Sequence, residues 1–319
     1  MAGGLKGERE VKTPFEVHFE IERRCRLLCR HCSSHAIRDM ERRGYTLRQM
    51  CALTELLGDY AVHVYLTGGE PLLCGDLTEH MAALSALPVE THIGLFTSGI
   101  VMRGGAAEPL SAAQAAEMRQ AGLENCYLSV YSARPEIHDT MTRTPSSFAM
   151  TRQAMESLRR AGVDVRFNSV VYAGNERELD GLLDYAAQVG ASEVRLLKLI
   201  RHGSAAGVWE DLRLKSGVHS DRMQALLASR SGEEATRITI SGHPQLAPCR
   251  PFDTAQGCQA GCRLLYVTYA GDVYPCACVK NNEKYRIGHI ADAEGLRQAL
   301  QSLPQGCRFR CLSGEDGQS

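Results

Sequence analysis

The chain has 319 residues, 44% of them apolar, and a formal net charge of −1. That is ample material for one large domain, or one with a smaller companion, and it offers no excess charge for nucleic acid or an anionic membrane surface. No stretch approaches the length of a spanning helix and the charged first fifteen residues hold no signal-peptide core, so a cytoplasmic location is expected.

Phe15, Val17, Phe19 and Ile21 alternate with Glu16, His18, Glu20 and Glu22, a period of two that predicts a strand. A cysteine-bearing loop follows. Thr46 and Gln49 then form a capping-box pattern that opens a helix to about residue 60. Residues 62–66 read as a second strand, ending in Thr67-Gly68-Gly69-Glu70-Pro71. A helix at 77–87 leads to a third strand at 92–96, which ends in Thr97-Ser98-Gly99. Ser111 and Gln114 repeat the capping box before a helix to about 121, and 127–131 is the fourth strand. Helix 148–160 carries Met150, Ala154, Met155 and Leu158 on one face. Strand 165–171, helix 176–189 and strand 193–199 complete six alternating units.

Such alternation predicts an α/β fold with a parallel sheet, here a partial (β/α)6 barrel of the TIM type. Its chemistry is expected at the carboxyl ends of the strands. A helix near 220–229 leads to a region of different composition. That region holds a short strand at 237–240, loops rich in Pro, Gly and Cys, a hairpin around Ala270-Gly271-Asp272 and a helix near 294–303. The expected domains are a barrel over 14–230 and a small C-terminal domain over 231–319.

Thirteen cysteines in a chain of this size, with no sign of export, point to metal or redox work rather than disulfides. Cys51, Cys74 and Cys126 sit inside apolar patterns as small core residues. The other ten form two groups, Cys25, Cys29 and Cys32 near the start and Cys249, Cys258, Cys262, Cys276, Cys278, Cys307 and Cys311 near the end. Cys25-x3-Cys29-x2-Cys32 supplies three thiolates from one loop. Iron–sulfur cubanes are held by such thiolates, and three ligands for four irons leave one iron open to chelate an amine and a carboxylate. A structural zinc wants four ligands in paired knuckles, which this spacing lacks.

This spacing, just after the first strand, resembles the radical S-adenosylmethionine (SAM) superfamily. Gly68-Gly69-Glu70-Pro71 is similar to the family turn that binds the SAM amino group. His31 matches the position beside the adenine. Thr97, Ser98 and Ser129 are similar to positions contacting the ribose and the methionine carboxylate. Ser129-Val130-Tyr131-Ser132, Pro135-Glu136-Ile137-His138-Asp139 and Ser147-Phe148 extend the likeness, which covers residues 15–205. It implies a [4Fe–4S] cluster on Cys25, Cys29 and Cys32 that cleaves SAM to start radical chemistry. Two positions depart from the pattern. Thr142-Arg143-Thr144 stands where Arg-Gly is frequent, with Arg143 as the candidate SAM contact, and Ser98 stands where Asn is common.

Cys258-x12-Gly271-x4-Cys276 and the run Gly271 to Cys276 resemble the SPASM or twitch extension of the same superfamily. Only Cys307-x3-Cys311 follows, so the shorter twitch form is implied, with one auxiliary [4Fe–4S] cluster on Cys258, Cys276, Cys307 and Cys311. Cys262 is the alternative to one of the last pair, and structural zinc is the alternative chemistry. A fully ligated cluster leaves electron transfer and the stapling of a small domain as its work.

Cys249 and Cys278 remain. Cys249 lies in Pro248-Cys249-Arg250-Pro251, where two prolines restrict the loop. A thiol at the domain junction can return a hydrogen atom to a substrate radical from the face opposite to abstraction, inverting a stereocentre. A spare cluster ligand or an inert thiol is the alternative. Cys278 reads as a bystander.

Only fourteen residues precede the first strand, which favours a small-molecule substrate over a leader-bearing peptide. Within the superfamily, the size, the single auxiliary cluster and the placed thiol resemble the epimerases. The expected reaction is epimerisation of an aminoglycoside, neomycin C to neomycin B, with an electron donor such as flavodoxin or ferredoxin as partner. Glu20, Glu22 and Asp253 are candidate carboxylates for such a polycation. A radical SAM dehydrogenase, a peptide-modifying radical SAM enzyme and a non-enzymatic metal-binding protein are the alternatives.

Overall fold

The computed structural model describes residues 12–34, 43–214, 223, 225–226, 228–230, 236–242 and 259–302. Cys249, Asp253, Cys258, Cys307 and Cys311, singled out above, lie outside the described residues.

The parallel strands are β1 (Pro14–Glu22), β2 (Ala61–Gly68), β3 (Thr91–Thr97), β6 (Leu123–Ser129), β7 (Asp164–Val171), β8 (Glu193–Lys198) and β9 (Arg237–Ser241). A short hairpin, β4 (Ile100–Arg103) and β5 (Ala106–Pro109), intervenes after β3. β10 (Leu264–Val267), β11 (Asp272–Tyr274) and β12 (Gly288–His289) follow. The sheet order is β12-β11-β10-β1-β2-β3-β6-β7-β8-β9, with β10 parallel to β1 and β11 and β12 antiparallel. The architecture is an open, partial barrel. The sheet runs across position 230, where the sequence suggests a domain boundary. β9 continues the parallel order after β8, and β10 pairs with β1 in the register His18↔Tyr266.

The connecting helices include α1 (Leu47–Leu56), α2 (Leu77–Ser85), α3 (Ala112–Gln120), α4 (Pro135–Thr142), α5 (Ser147–Arg160) and α6 (Leu179–Gln188). Both expected capping boxes close, Thr46 with Gln49 and Ser111 with Gln114. The period of two sorts β1 as expected. Phe15, Val17, Phe19 and Ile21 join the apolar core, while Glu16, His18, Glu20 and Glu22 project from the opposite, inner face of the curved sheet.

That inner face carries polar and aromatic side chains beside the aliphatic Val170 and Leu197. Tyr65 stacks on Phe96, with centroids 4.6 Å apart, and the Arg195 guanidinium lies 4.2 Å over the Tyr127 ring. Arg195 also donates to Tyr127 Oη at 2.8 Å and to Glu16 Oε1 at 3.2 Å. Buried charge is tolerated when paired in this way.

Candidate active site

The site forms where the loop after β1 meets the turn after β2. Gly69 N donates to Glu22 O at 2.7 Å and Glu70 N to Arg24 O at 2.8 Å. No side chain fits at either glycine. Gly68 has φ +142°, and a Cβ there would fall 1.9 Å from Glu22 O; one on Gly69 would fall 2.3 Å from Arg24 O. The two glycines therefore let Glu70 approach the cysteine loop. Three further bonds pin that loop, Leu28 N to Thr142 O, Arg30 N to Met141 O and Ser204 N to Cys32 O.

Cys25, Cys29 and Cys32 are half-buried and line one cavity of about 330 Å³. Burial pushes the Cys25 thiol up to about 12, and the charges of Glu70 and Cys32 add to it. Burial, then Cys25 and Cys32, drive Cys29 well above the ordinary thiol value. A Lewis-acidic centre is what would make thiolates of Cys25 and Cys29. The donor set thus fits an iron–sulfur cluster.

Glu70 is buried and held by four donors: the Thr97 hydroxyl, Ser98 N at 2.9 Å, Ser98 Oγ at 2.5 Å and Leu72 N at 3.1 Å. Burial raises its pKa and these bonds offset only part of the rise. His31 Nε2 meets Tyr131 Oη at 3.2 Å, while its buried Nδ1 has no partner among the described residues. Burial, with His138 nearby, takes the His31 pKa down to about 4, so the ring is neutral. Ser129, at the end of β6, completes this wall of the cavity.

Arg143 stands apart. It is exposed, does not line the cavity, and ends α4 in the left-handed conformation at φ 52°. The expected carboxylates for a polycation are engaged within the protein. Glu20 accepts from Lys280, Tyr266 and Tyr269 N, and Glu22 from Arg24 and Arg23 N. A strand that buries its inner face must pair its own carboxylates.

The opposite wall comes from the C-terminal region. Half-buried Cys276 and exposed Cys278 both line the same cavity. Gly261 N donates to Pro275 O at 3.2 Å, which draws the stretch around Cys262 alongside Cys276. Cys278, taken from the sequence as a bystander, thus sits on the cavity wall. His18, Phe96, Asn168 and Arg195 also line the cavity and were not singled out as site residues. The alternation of β1 was the available signal for His18, because it put that residue on the same face as Glu20.

The chain matches the Radical SAM superfamily over residues 19–186, more than half its length, and the iron-sulfur cluster-binding domain SPASM over residues 258–317. It is 22% identical to the AdoMet-dependent heme synthase of Oleidesulfovibrio alaskensis, over 82% of this chain and 69% of that protein. It is 25% identical to the PqqA peptide cyclase of Methylorubrum populi, over 88% and 71%. It is 27% identical to the mycofactocin maturase MftC of Mycobacterium ulcerans, over 93% and 77%. Two solved structures share the fold. Streptococcus suis SuiB bound to precursor peptide SuiA has a TM-score of 0.64 at 13% identity, over 92% of this chain and 66% of that one. The protein anSMEcpe with bound AdoMet and the Cp18Cys peptide has a TM-score of 0.68 at 17% identity, over 94% and 83%. The chain thus spans just under two thirds of SuiB. It belongs to the radical SAM superfamily, as an enzyme whose cofactors are SAM, a [4Fe–4S] cluster that cleaves it and an auxiliary iron–sulfur cluster in a SPASM-type domain.

Proposed function

We propose that this enzyme is a radical SAM epimerase acting on an aminoglycoside, neomycin C to neomycin B, with Cys249 as hydrogen donor. The observation that carries the reading is the position of Gly242. It lines the cavity wall, and Cys249 follows it by seven residues in the sequence. The cavity, of about 330 Å³, is lined on one side by Cys25, Cys29 and Cys32 and on the other by Cys276 and Cys278.

When bound, the cluster and SAM supply a 5′-deoxyadenosyl radical. The protein's own residues do the rest. Cys25, Cys29 and Cys32 hold the cluster. Glu70 and its neighbours receive the SAM amino group, and His31, Thr97, Ser98 and Ser129 line the rest of the SAM site. Cys249 gives a hydrogen atom to the substrate carbon radical from the face opposite to abstraction, and the C–H bond formed replaces the S–H bond broken. The thiyl left behind needs one electron and one proton. The electron comes from a flavodoxin- or ferredoxin-type donor; Cys258, Cys276, Cys307 and Cys311, with Cys262 as the alternative to one of the last pair, would hold the auxiliary cluster, which would supply electron-transfer capacity.

A second reading, modification of a peptide, is favoured by the relatives, among which are a peptide cyclase and a protein solved with its precursor peptide. One experiment separates the readings. The reconstituted protein is given SAM, a reductant and either neomycin C or a panel of candidate precursor peptides in deuterated water. An isomer of neomycin C with one solvent deuterium is expected, and it should vanish in Cys249→Ala while 5′-deoxyadenosine still forms. A product two hydrogens lighter means dehydrogenation. An inert neomycin C with an altered peptide means the second reading.

A further inference from the structure

His18 is a titratable side chain of the cavity with no part in holding the cluster or SAM. It stands at the centre of β1 and lines the cavity that also holds Cys25, Cys29 and Cys32. Its ring is clamped edge-on by Phe96, Tyr65 and Tyr266, with centroids 4.9, 5.6 and 5.9 Å away. Its Nε2 lies 2.5 Å from Glu16 Oε1. The same oxygen accepts from Arg195 Nη1 at 3.2 Å. Arg195 is fixed in turn by Tyr127.

An oxygen that already faces a guanidinium acts as an acceptor, so the hydrogen between Glu16 and His18 belongs on Nε2. In the neutral ring with that tautomer, Nδ1 carries a lone pair, and it makes no hydrogen bond to any described residue. A carboxylate that orients an imidazole through one nitrogen while the other faces the reacting partner is the arrangement by which hydrolases position a base.

We propose that Glu16 and His18 form a carboxylate–imidazole dyad whose Nδ1 accepts a hydrogen bond from a hydroxyl or amino group of a sugar-like substrate ring. The dyad fixes which carbon of that ring faces the radical, so His18 determines regiochemistry and Glu16 and Arg195 position it. Phe96, stacked on Tyr65 and lining the same cavity, adds an apolar wall beside the dyad. This deepens the epimerase reading and rests on it for the substrate class.

The test compares His18→Phe, which keeps a ring and loses the acceptor, with His18→Asn, which keeps an acceptor near the Nδ1 position. Substrate-stimulated formation of 5′-deoxyadenosine from neomycin C should fall about tenfold or more in the first and recover most of that in the second. Wild-type stimulation in His18→Phe overturns the dyad, and so does an equal loss in both variants. The ring tautomer is read independently by nitrogen NMR on histidine-labelled wild-type protein, which needs neither the variants nor a substrate. A proton on Nε2 with Nδ1 bare is expected, and a proton on Nδ1 overturns the proposal. If wild-type protein ignores neomycin C while the tautomer is as expected, the substrate reading fails and the dyad stands.

Discussion

Lys280 Nζ donates to Glu20 Oε1 across 2.7 Å and joins the segment after Cys276 and Cys278 to the first barrel strand. The same ammonium donates to Ser34 Oγ at 2.7 Å, two residues beyond Cys32. Both members of the pair are buried. Lys280→Met leaves Glu20 buried without its cation and should cost about 3–5 kcal/mol. Urea denaturation of the anaerobic holoprotein measures it, and a midpoint within error of wild type would refute the claim.

The same pair gives a pH dependence. Burial acts to raise the Glu20 pKa, but the charge and hydrogen bond of Lys280, with Tyr266 and Tyr269 N, hold it below its ordinary 4.5. A depressed carboxylate stabilises fully above its unfolded value and loses that contribution as pH falls through the folded one. The stability difference between wild type and Glu20→Gln should therefore be constant from neutrality to about pH 5 and shrink below it. Denaturation midpoints across that range check the sign, and a difference that grows in acid contradicts it.

Gly69→Ala places a Cβ 2.3 Å from Arg24 O. The turn must move away from the cysteine loop, and SAM cleavage should fall at least about tenfold. Gly75→Ala is the control, since a Cβ there meets nothing within 4 Å. Rates of 5′-deoxyadenosine formation decide between them.

Glu70→Gln keeps the shape and removes the charge of a side chain that four donors hold at the cavity wall. Loss of a charged hydrogen bond to an ammonium is worth about 1.5–3 kcal/mol. SAM affinity, measured by equilibrium dialysis, should fall by one to two orders of magnitude while the iron content stays unchanged.

Replacing Cys25, Cys29 and Cys32 together by Ala should remove about half of the iron and sulfide, because the auxiliary cluster has its own cysteines. Metal analysis after anaerobic reconstitution tests this. Complete loss would mean that the auxiliary cluster depends on the first.

The sequence by itself determined the strand alternation of β1, both capping boxes, the Gly68–Gly69–Glu70 turn and the cysteine triplet. Each is written in residues a few positions apart, where helix and strand periods and ligand spacing act directly. The β4–β5 hairpin has no such local signature beyond Gly104 and Gly105, which turn it with φ +57° and +86°. Its strands are four residues each, too short for a periodic signal. β9 and β10 were read with the small domain because nothing local says which sheet edge a short strand will join.

Tertiary structure alone decided what the inner-face residues do. Glu20 meets Lys280 across 260 positions, and Arg195 meets Glu16 across 179. Such pairs form across the inside of the curved sheet, between β1 and residues of β8 and of the segment after β11. In the folded chain Glu20 is half of an internal ion pair rather than a substrate carboxylate, Arg143 lies outside the cavity and Cys278 lies on its wall. Side chains distant in sequence compete for the same few partners in a low-dielectric interior, and only the folded chain settles which of them pair.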